Sequence, residues 1–365
     1  MGRIRLFANK TAACEIGASS DDDPMRLSVL VVLSLASLLP QYGSAAIDPK
    51  LLLVEQKLGG FEDKDYGPAV EKTLVEFEGR TGINLHPSIL KSCGLKLSSE
   101  SGIGLSTPKP LVRAVTSALM RRGFTQKAIY LCDTKQDTLR KAGFLPATSE
   151  ADQSFEGFPV LAWADRVGTW VKDPSWIKEP QYRFENQVVP KPSTPTQTWS
   201  NERTSILPKT LMDDVDFWIN LPVLSDSKSL GVHGAIASAS LGNILNAERF
   251  LDNPANAAKA AVEVYATPKL AKRNALTILS LERYQVLGGP SFDAGWCRSE
   301  KTMLCSANPV IIDFVGLQKI NSGRSASGIE TIHPEPPIFA TANSSEIRLG
   351  TCRPSEITLV RLPAP

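Results

Sequence analysis

Between Asp226 and Gly234 the chain reads DSKSLGVHG, which places an acid (Asp226), a cation (Lys228) and an imidazole (His233) in one short stretch. Those side chains suit proton transfer, and Gly231 and Gly234 allow a backbone to approach a ligand closely. The competing reading is a solvated connection. A second set comprises Glu282, Arg283 and Tyr284, followed by Gly288-Gly289-Pro290. Arg283 is a candidate ligand contact there, and an Arg–Glu pair is equally a structural device. Asp313 stands inside the apolar run Val-Ile-Ile-Asp-Phe-Val. Burying that carboxylate alone is costly, so it must meet a cation, a hydrogen-bond donor or a metal.

Other chemistries find less support. The stretch Gly102-Ile103-Gly104-Leu105-Ser106-Thr107 suits an anionic group at a helix start. It lacks the lysine of a P-loop and the third glycine of a dinucleotide fingerprint, so a plain cap and turn is the simpler reading. Of the three histidines, His86 and His333 precede proline, which argues against a multi-histidine transition-metal site. A divalent metal held by oxygen ligands from Asp226 or Asp313 stays open. No C-x-x-C spacing occurs, so no iron–sulfur cluster is expected. There is no Gly-x-Ser-x-Gly elbow either.

The elements that must position these residues are legible in part. Ala69 to Gly79 has helical spacing. Thr107 as cap, Pro108 at the first position and Gly123 as stop predict a helix over 108–122, and Ala128 to Cys132 a strand ending at Asp133. Val215 to Leu221, Ala275 to Leu281 and Lys301 to Cys305 predict further strands. Asn253-Pro254, Thr267-Pro268 and Asn308-Pro309 open helices. Strands alternating with capped helices imply an α/β fold, a mostly parallel sheet covered by helices. Residues 146–205 differ, carrying Trp163, Trp170, Trp176 and Trp199 with Pro190, Pro192 and Pro195. They predict an irregular Trp/Pro-rich insertion, more simply a packing layer than a ligand surface.

Composition narrows the class. With Lys+Arg 40 against Asp+Glu 38 and 42% hydrophobic residues over 365 positions, the chain is neither disordered nor a multi-span membrane protein. Its balance of charge gives no nucleic-acid footprint. Leu27 to Leu39 is apolar but too short for a comfortable membrane span, follows Met25-Arg26, and precedes Gly43-Ser44-Ala45-Ala46. This predicts a signal peptide cleaved near Ala45 or Ala46, and a periplasmic or extracellular protein with no membrane span afterwards. The competing reading is a buried element or an uncleaved anchor. Asp21-Asp22-Asp23 is wrong for a signal n-region, so residues 1–24 read as an over-extended start before Met25. Residues 46–365 then form one domain with five cysteines, an odd number. Cys297 and Cys305 are candidates for a disulfide in that compartment.

Several motifs in order resemble the family called domain of unknown function 362. The chain has Ile219-Asn220-Leu221-Pro222-Val223-Leu224-Ser225-Asp226-Ser227, then Gly231-Val232-His233-Gly234-Ala235-Ile236, then Ser306-Ala307-Asn308-Pro309-Val310-Ile311-Ile312-Asp313. The likeness runs from about Gly102 to Asn321, with a weaker echo over Pro334 to Leu362. It implies ligand contacts from Ser306 and Asn308 beside those above. The family's lysine and histidine after "PVL" fall on Ser225 and Ser227 here, and its first late aspartate on Asn308. Lys228 and His233 would have to replace them in space.

Two functions follow as expectations. In an enzyme, a small anionic or metal-bound ligand lies among Asp226, Lys228, His233 and Asp313. Asp313 then orients or coordinates, and His233 or Lys228 serves as acid–base. In a non-catalytic module of the cell envelope, the same pocket holds a small molecule without turnover, or the tryptophan-rich surface meets an envelope protein.

Overall fold

Apolar residues on both faces of its strands bury a nine-stranded, mostly parallel sheet between helices in the computed structural model. The structure describes residues 46–149, 151–164, 207–244 and 247–365, with the backbone of 184–185 and 204–205. The signal-like segment, Trp170, Trp176, Trp199 and the Pro190–Thr198 stretch lie outside the described residues.

The chain opens with β1 (Leu52–Lys57), α1 (Asp63–Thr81), β2 (Cys93–Lys96), α2 (Lys109–Arg121), β3 (Ile129–Asp133) and α3 (Gln136–Ala142). Next come β4 (Ser154–Phe155), β5 (Phe158–Ala162), β6 (Phe184–Glu185), β7 (Thr204–Ser205), β8 (Phe217–Asn220), β9 (Leu224–Ser227) and β10 (Gly231–His233). Then follow α4 (Ala235–Ala239), α5 (Pro254–Tyr265), α6 (Pro268–Arg273), β11 (Asn274–Ser280), β12 (Tyr284–Gln285) and β13 (Cys297–Arg298). The last elements are β14 (Thr302–Ser306), α7 (Pro309–Ala326), α8 (Pro337–Ala342) and β15 (Thr358–Leu362).

The main sheet has the order β15-β1-β14-β11-β8-β2-β3-β5-β4, and β10-β9-β12-β13 form a smaller sheet. From β2 the chain winds outward through β3 to β5, then returns to β8 on the other side of β2 and moves on to β11. The winding therefore reverses between β2 and β8. At such a reversal the connecting loops part, and a crevice opens at the carboxyl ends of the strands.

Alternate residues feed two cores. Leu52, Val54, Leu95, Ile219 and Ile278 pack with α1, α2 and α3, whereas Leu53, Trp218, Leu279 and Leu304 pack with α5 and α7. Burial on both faces accounts for the nearly continuous apolar strands. One cross-strand row departs from this pattern: Lys96 pairs with Asn220, Asn220 with Thr277, and Thr277 with Ser306, all of them buried.

Helix starts follow the local chemistry. The Asn253 side chain accepts from the amides of Ala255 and Asn256, and Asn308 caps α7 through Val310 and Ile311. Thr107 differs from expectation. It does not cap α2, whose cap position is Pro108, because its hydroxyl accepts from the Ser98 amide and donates to the Leu221 carbonyl. The 146–205 segment is not wholly an insertion. Within it, Phe158–Ala162 pairs in parallel with β3 and extends the sheet, and Trp163 is buried. Cys297 and Cys305 are both free thiols. Cys305 is sealed in the core on β14 while Cys297 lies partly exposed on the small sheet. No helix among the described residues is long and apolar enough to cross a membrane.

Candidate functional site

Just beneath the residues that line the crevice lies a buried ion pair. Lys96, the last residue of β2, directs its ammonium to Asp133 Oδ1 at 2.7 Å and to the Leu97 carbonyl at 2.6 Å. Asp133, the last residue of β3, also accepts from the Thr134 amide at 2.8 Å, and from the amide and hydroxyl of Ser99 at 2.8 and 2.6 Å. A buried pair survives only when most of its remaining valences are filled; here both carboxylate oxygens are bonded and two of the three ammonium N–H groups donate. The same bonds fix the turn after β2, so that Glu100, next to Ser99, is carried to the rim above.

His233 comes from the opposite side. It ends β10, where it pairs with Ser225 of β9. The hairpin needs Gly231, which has φ +76° and packs so tightly on Pro336 that a Cβ would overlap that ring. After His233 the chain turns at Gly234 into α4, and Asp313 anchors that turn. Its Oδ1 accepts from Ala235 N at 2.5 Å and its Oδ2 from Ile236 N at 2.9 Å. A Cβ on Gly234 would overlap Asp313 Oδ1, so the glycine makes the carboxylate's approach feasible.

Between these walls lies a pocket of about 240 Å³, lined among others by Glu100, Thr134, Lys135, Ser227, His233 and Glu248. Gly242, also in the lining, lies over the Lys96 ammonium, and its carbonyl accepts from the Thr134 hydroxyl at 2.7 Å. Among the described residues, the ring nitrogens of His233 have no hydrogen-bond partner. Burial, with the Lys96 charge nearby, holds the imidazole down to about 4. It is therefore neutral at ordinary pH, with one donor and one acceptor to offer. Glu100 stands exposed at the edge of the lining, where partial desolvation and the Asp133 charge move its carboxyl above the usual carboxylate range. A neutral imidazole and the Glu100 carboxyl thus line one pocket, the imidazole within it and the carboxyl at its edge.

The other expected site residues are dispersed. Asp226 turns away to the loop after β12, accepting from Gly289 N at 2.7 Å and Gly288 N at 3.2 Å, with Arg324 at 3.5 Å. Lys228 is exposed on the β9–β10 turn. Asp313 is fully buried, and its two oxygens accept from the two α4 amides. Burial raises it to about 7. Ser306 donates to the Leu52 carbonyl, and Asn308 caps α7 while bonding to the carbonyls of Lys50 and Thr351. Arg283 lies in a neighbouring pocket and donates to the Gly104 carbonyl at 2.7 Å. Among the described residues, no three His, Cys, Asp or Glu side chains converge as a metal site.

Sequence reasoning missed Lys96, Asp133, Glu100 and Glu248. A signal was present for the first pair: Lys96 interrupts the apolar Cys93–Leu97 run, and Asp133 closes a strand of its own. Only the sheet order brings the two together. Compared with known families and with curated proteins, the chain matches no family model and no curated sequence.

Proposed function

We propose that this protein is an acid–base enzyme for a small polar molecule, working in the pocket between His233 and Glu100. The observation that carries this reading is the neutral His233 ring, without a hydrogen-bond partner among the described residues, in a recess at the winding reversal close to the Lys96–Asp133 pair. His233 accepts a hydrogen bond or proton from the ligand, and Glu100 supplies one in return. Glu100 and Glu248 outnumber Lys135 in the lining, so a ligand presenting hydroxyl or amino donors suits this pocket better than a bare anion. A divalent metal on Asp226 and Asp313 finds no support in their geometry, since each has its oxygens on backbone amides of a different segment.

The same proposal places the chain with domain of unknown function 362 and outside the cytoplasm. In support, two of the resembling motifs meet physically: Asp313 of the third holds the amides that follow His233 and Gly234 in the second. Export is checked by sequencing the N-terminus of protein recovered from the cell envelope, which should begin near Ala46.

The activity is tested by incubating the protein with a panel of small polyols, amino acids and amines and following each by mass spectrometry. Turnover that is lost in His233→Gln without a change in melting supports the enzyme. Retention of a compound without turnover makes the pocket a binding module, the alternative reading. Turnover or retention indifferent to His233 places the function elsewhere.

A further inference from the structure

A second pocket, of about 230 Å³, opens where the loop after β2 meets the end of β11, and its lining includes Ser106, Lys109, Ser280, Glu282 and Arg283. The loop that carries Glu100 to the first pocket also carries Ile103 and Gly104 to this one. The character of the lining changes across that loop. The first pocket has two carboxylates and one lysine in its lining, whereas this one has two cations and a single acid.

Neither cation is held in a close ion pair, although the Glu282 carboxyl lies near enough to Arg283 to feel its charge. Among the described residues, Lys109 and Arg283 form no ion pair, and the guanidinium of Arg283 has its hydrogen bond to a neutral acceptor, the Gly104 carbonyl. That bond holds the fork in place and leaves further N–H groups to donate. The acid, Glu282, is engaged from behind: the Tyr66 hydroxyl donates to its Oε2 at 2.9 Å, and burial raises its affinity for a proton. The pocket thus combines a fixed guanidinium, the Lys109 ammonium and the Ser106 hydroxyl, a donor set that recognises an oxyanion, while the Ser280 hydroxyl is spent on Tyr66.

We infer that the Arg283–Lys109 pocket is an oxyanion subsite, which takes a carboxylate or phosphate group independently of the chemistry at His233. The inference does not rest on His233 being catalytic, and the test separates the two. Inorganic phosphate and, separately, acetate are titrated into the full protein at fixed ionic strength, with binding read by calorimetry and by the Arg283 Nε–H resonance. Saturable binding of either anion is expected, and the tighter one identifies the group. Arg283→Ala and Lys109→Met should each weaken it about tenfold, the loss of one charge-assisted hydrogen bond. Lys109→Met guards against misfolding caused by loss of the Gly104 contact, and melting curves accompany both variants. His233→Gln should bind as the wild type does. The inference is overturned if neither anion saturates, if both variants bind unchanged, or if His233→Gln abolishes binding and so moves the ion to the first pocket.

Discussion

The ammonium of Lys96 meets Asp133 Oδ1 at 2.7 Å, with both side chains almost wholly withdrawn from solvent. These residues end two neighbouring parallel strands, so the pair ties β2 to β3 on one side of the winding reversal. Removing one partner leaves an uncompensated charge in the interior. Lys96→Met or Asp133→Asn alone should lower stability by about 3–5 kcal/mol in urea unfolding. The double variant should be less destabilised than the sum, with a coupling of roughly 2 kcal/mol. Additive losses would show that the pair does not interact as its geometry implies.

His233 reports on the same pair. Its imidazole should titrate near pH 4 in proton–nitrogen correlation spectra, against an ordinary value of 6.5. The Lys96→Met, Asp133→Asn double variant should raise that midpoint, because the positive charge that disfavours imidazolium is gone. A wild-type midpoint close to 6.5 would mean that the ring stands in water and not in the recess.

Asp313 and His233 should drive stability in opposite directions with pH. For His233 the folded value lies below the unfolded one, so its contribution is complete above pH 6.5 and is lost as pH falls through about 4. For Asp313 the folded value, about 7, lies above the unfolded 3.8. Its contribution is complete below pH 3.8 and is lost as pH rises through about 7. In the wild type the two trends offset each other between pH 4 and 7. His233→Gln should therefore expose a loss of stability with rising pH, and Asp313→Asn a gain, both read from thermal melts across that range. Parallel profiles for the two variants would contradict this account.

Gly234 tests how closely Asp313 approaches the turn. Gly234→Ala drives a Cβ into Oδ1 and should cost about 1–3 kcal/mol. Asp313→Ser, which replaces the carboxylate with a shorter hydroxyl, should relieve part of that loss. If Gly234→Ala is neutral, the turn has room that the structure denies.

Asp226 belongs to the wall of the first pocket through the loop it grips. Asp226→Ala frees the amides of Gly288 and Gly289 just before Pro290, a lining residue. We expect faster amide exchange over 287–291 and a stability loss of about 1–3 kcal/mol. Exchange unchanged there would remove Asp226 as the support of that wall.

Local chemistry was legible wherever the determinants lie within one turn of chain. Asn253-Pro254 and Asn308-Pro309 announced α5 and α7 because a capping side chain reaches amides only two or three residues on. Apolar runs such as Ala275–Leu281 announced buried strands, and with the helices between them the α/β class. The same reading erred at Thr107, since its hydroxyl is claimed by Ser98 and Leu221, partners that no local pattern names.

The site required the tertiary structure. From sequence alone, Asp313 had to meet a donor, and it did meet two amides; which ones, and that they hold the turn behind His233, depended on α7 packing against α4. Asp226 and His233 stand seven positions apart in the chain. On paired antiparallel strands, nonetheless, one grips the loop at Gly288 while the other faces the pocket. Lys96 and Asp133 are separated by 37 positions and meet because β2 and β3 are neighbours. Capping and burial are short-range or additive, so the sequence by itself determined the elements. Charge pairing and pocket formation depend on which strand ends are adjacent, and only the sheet order decided that.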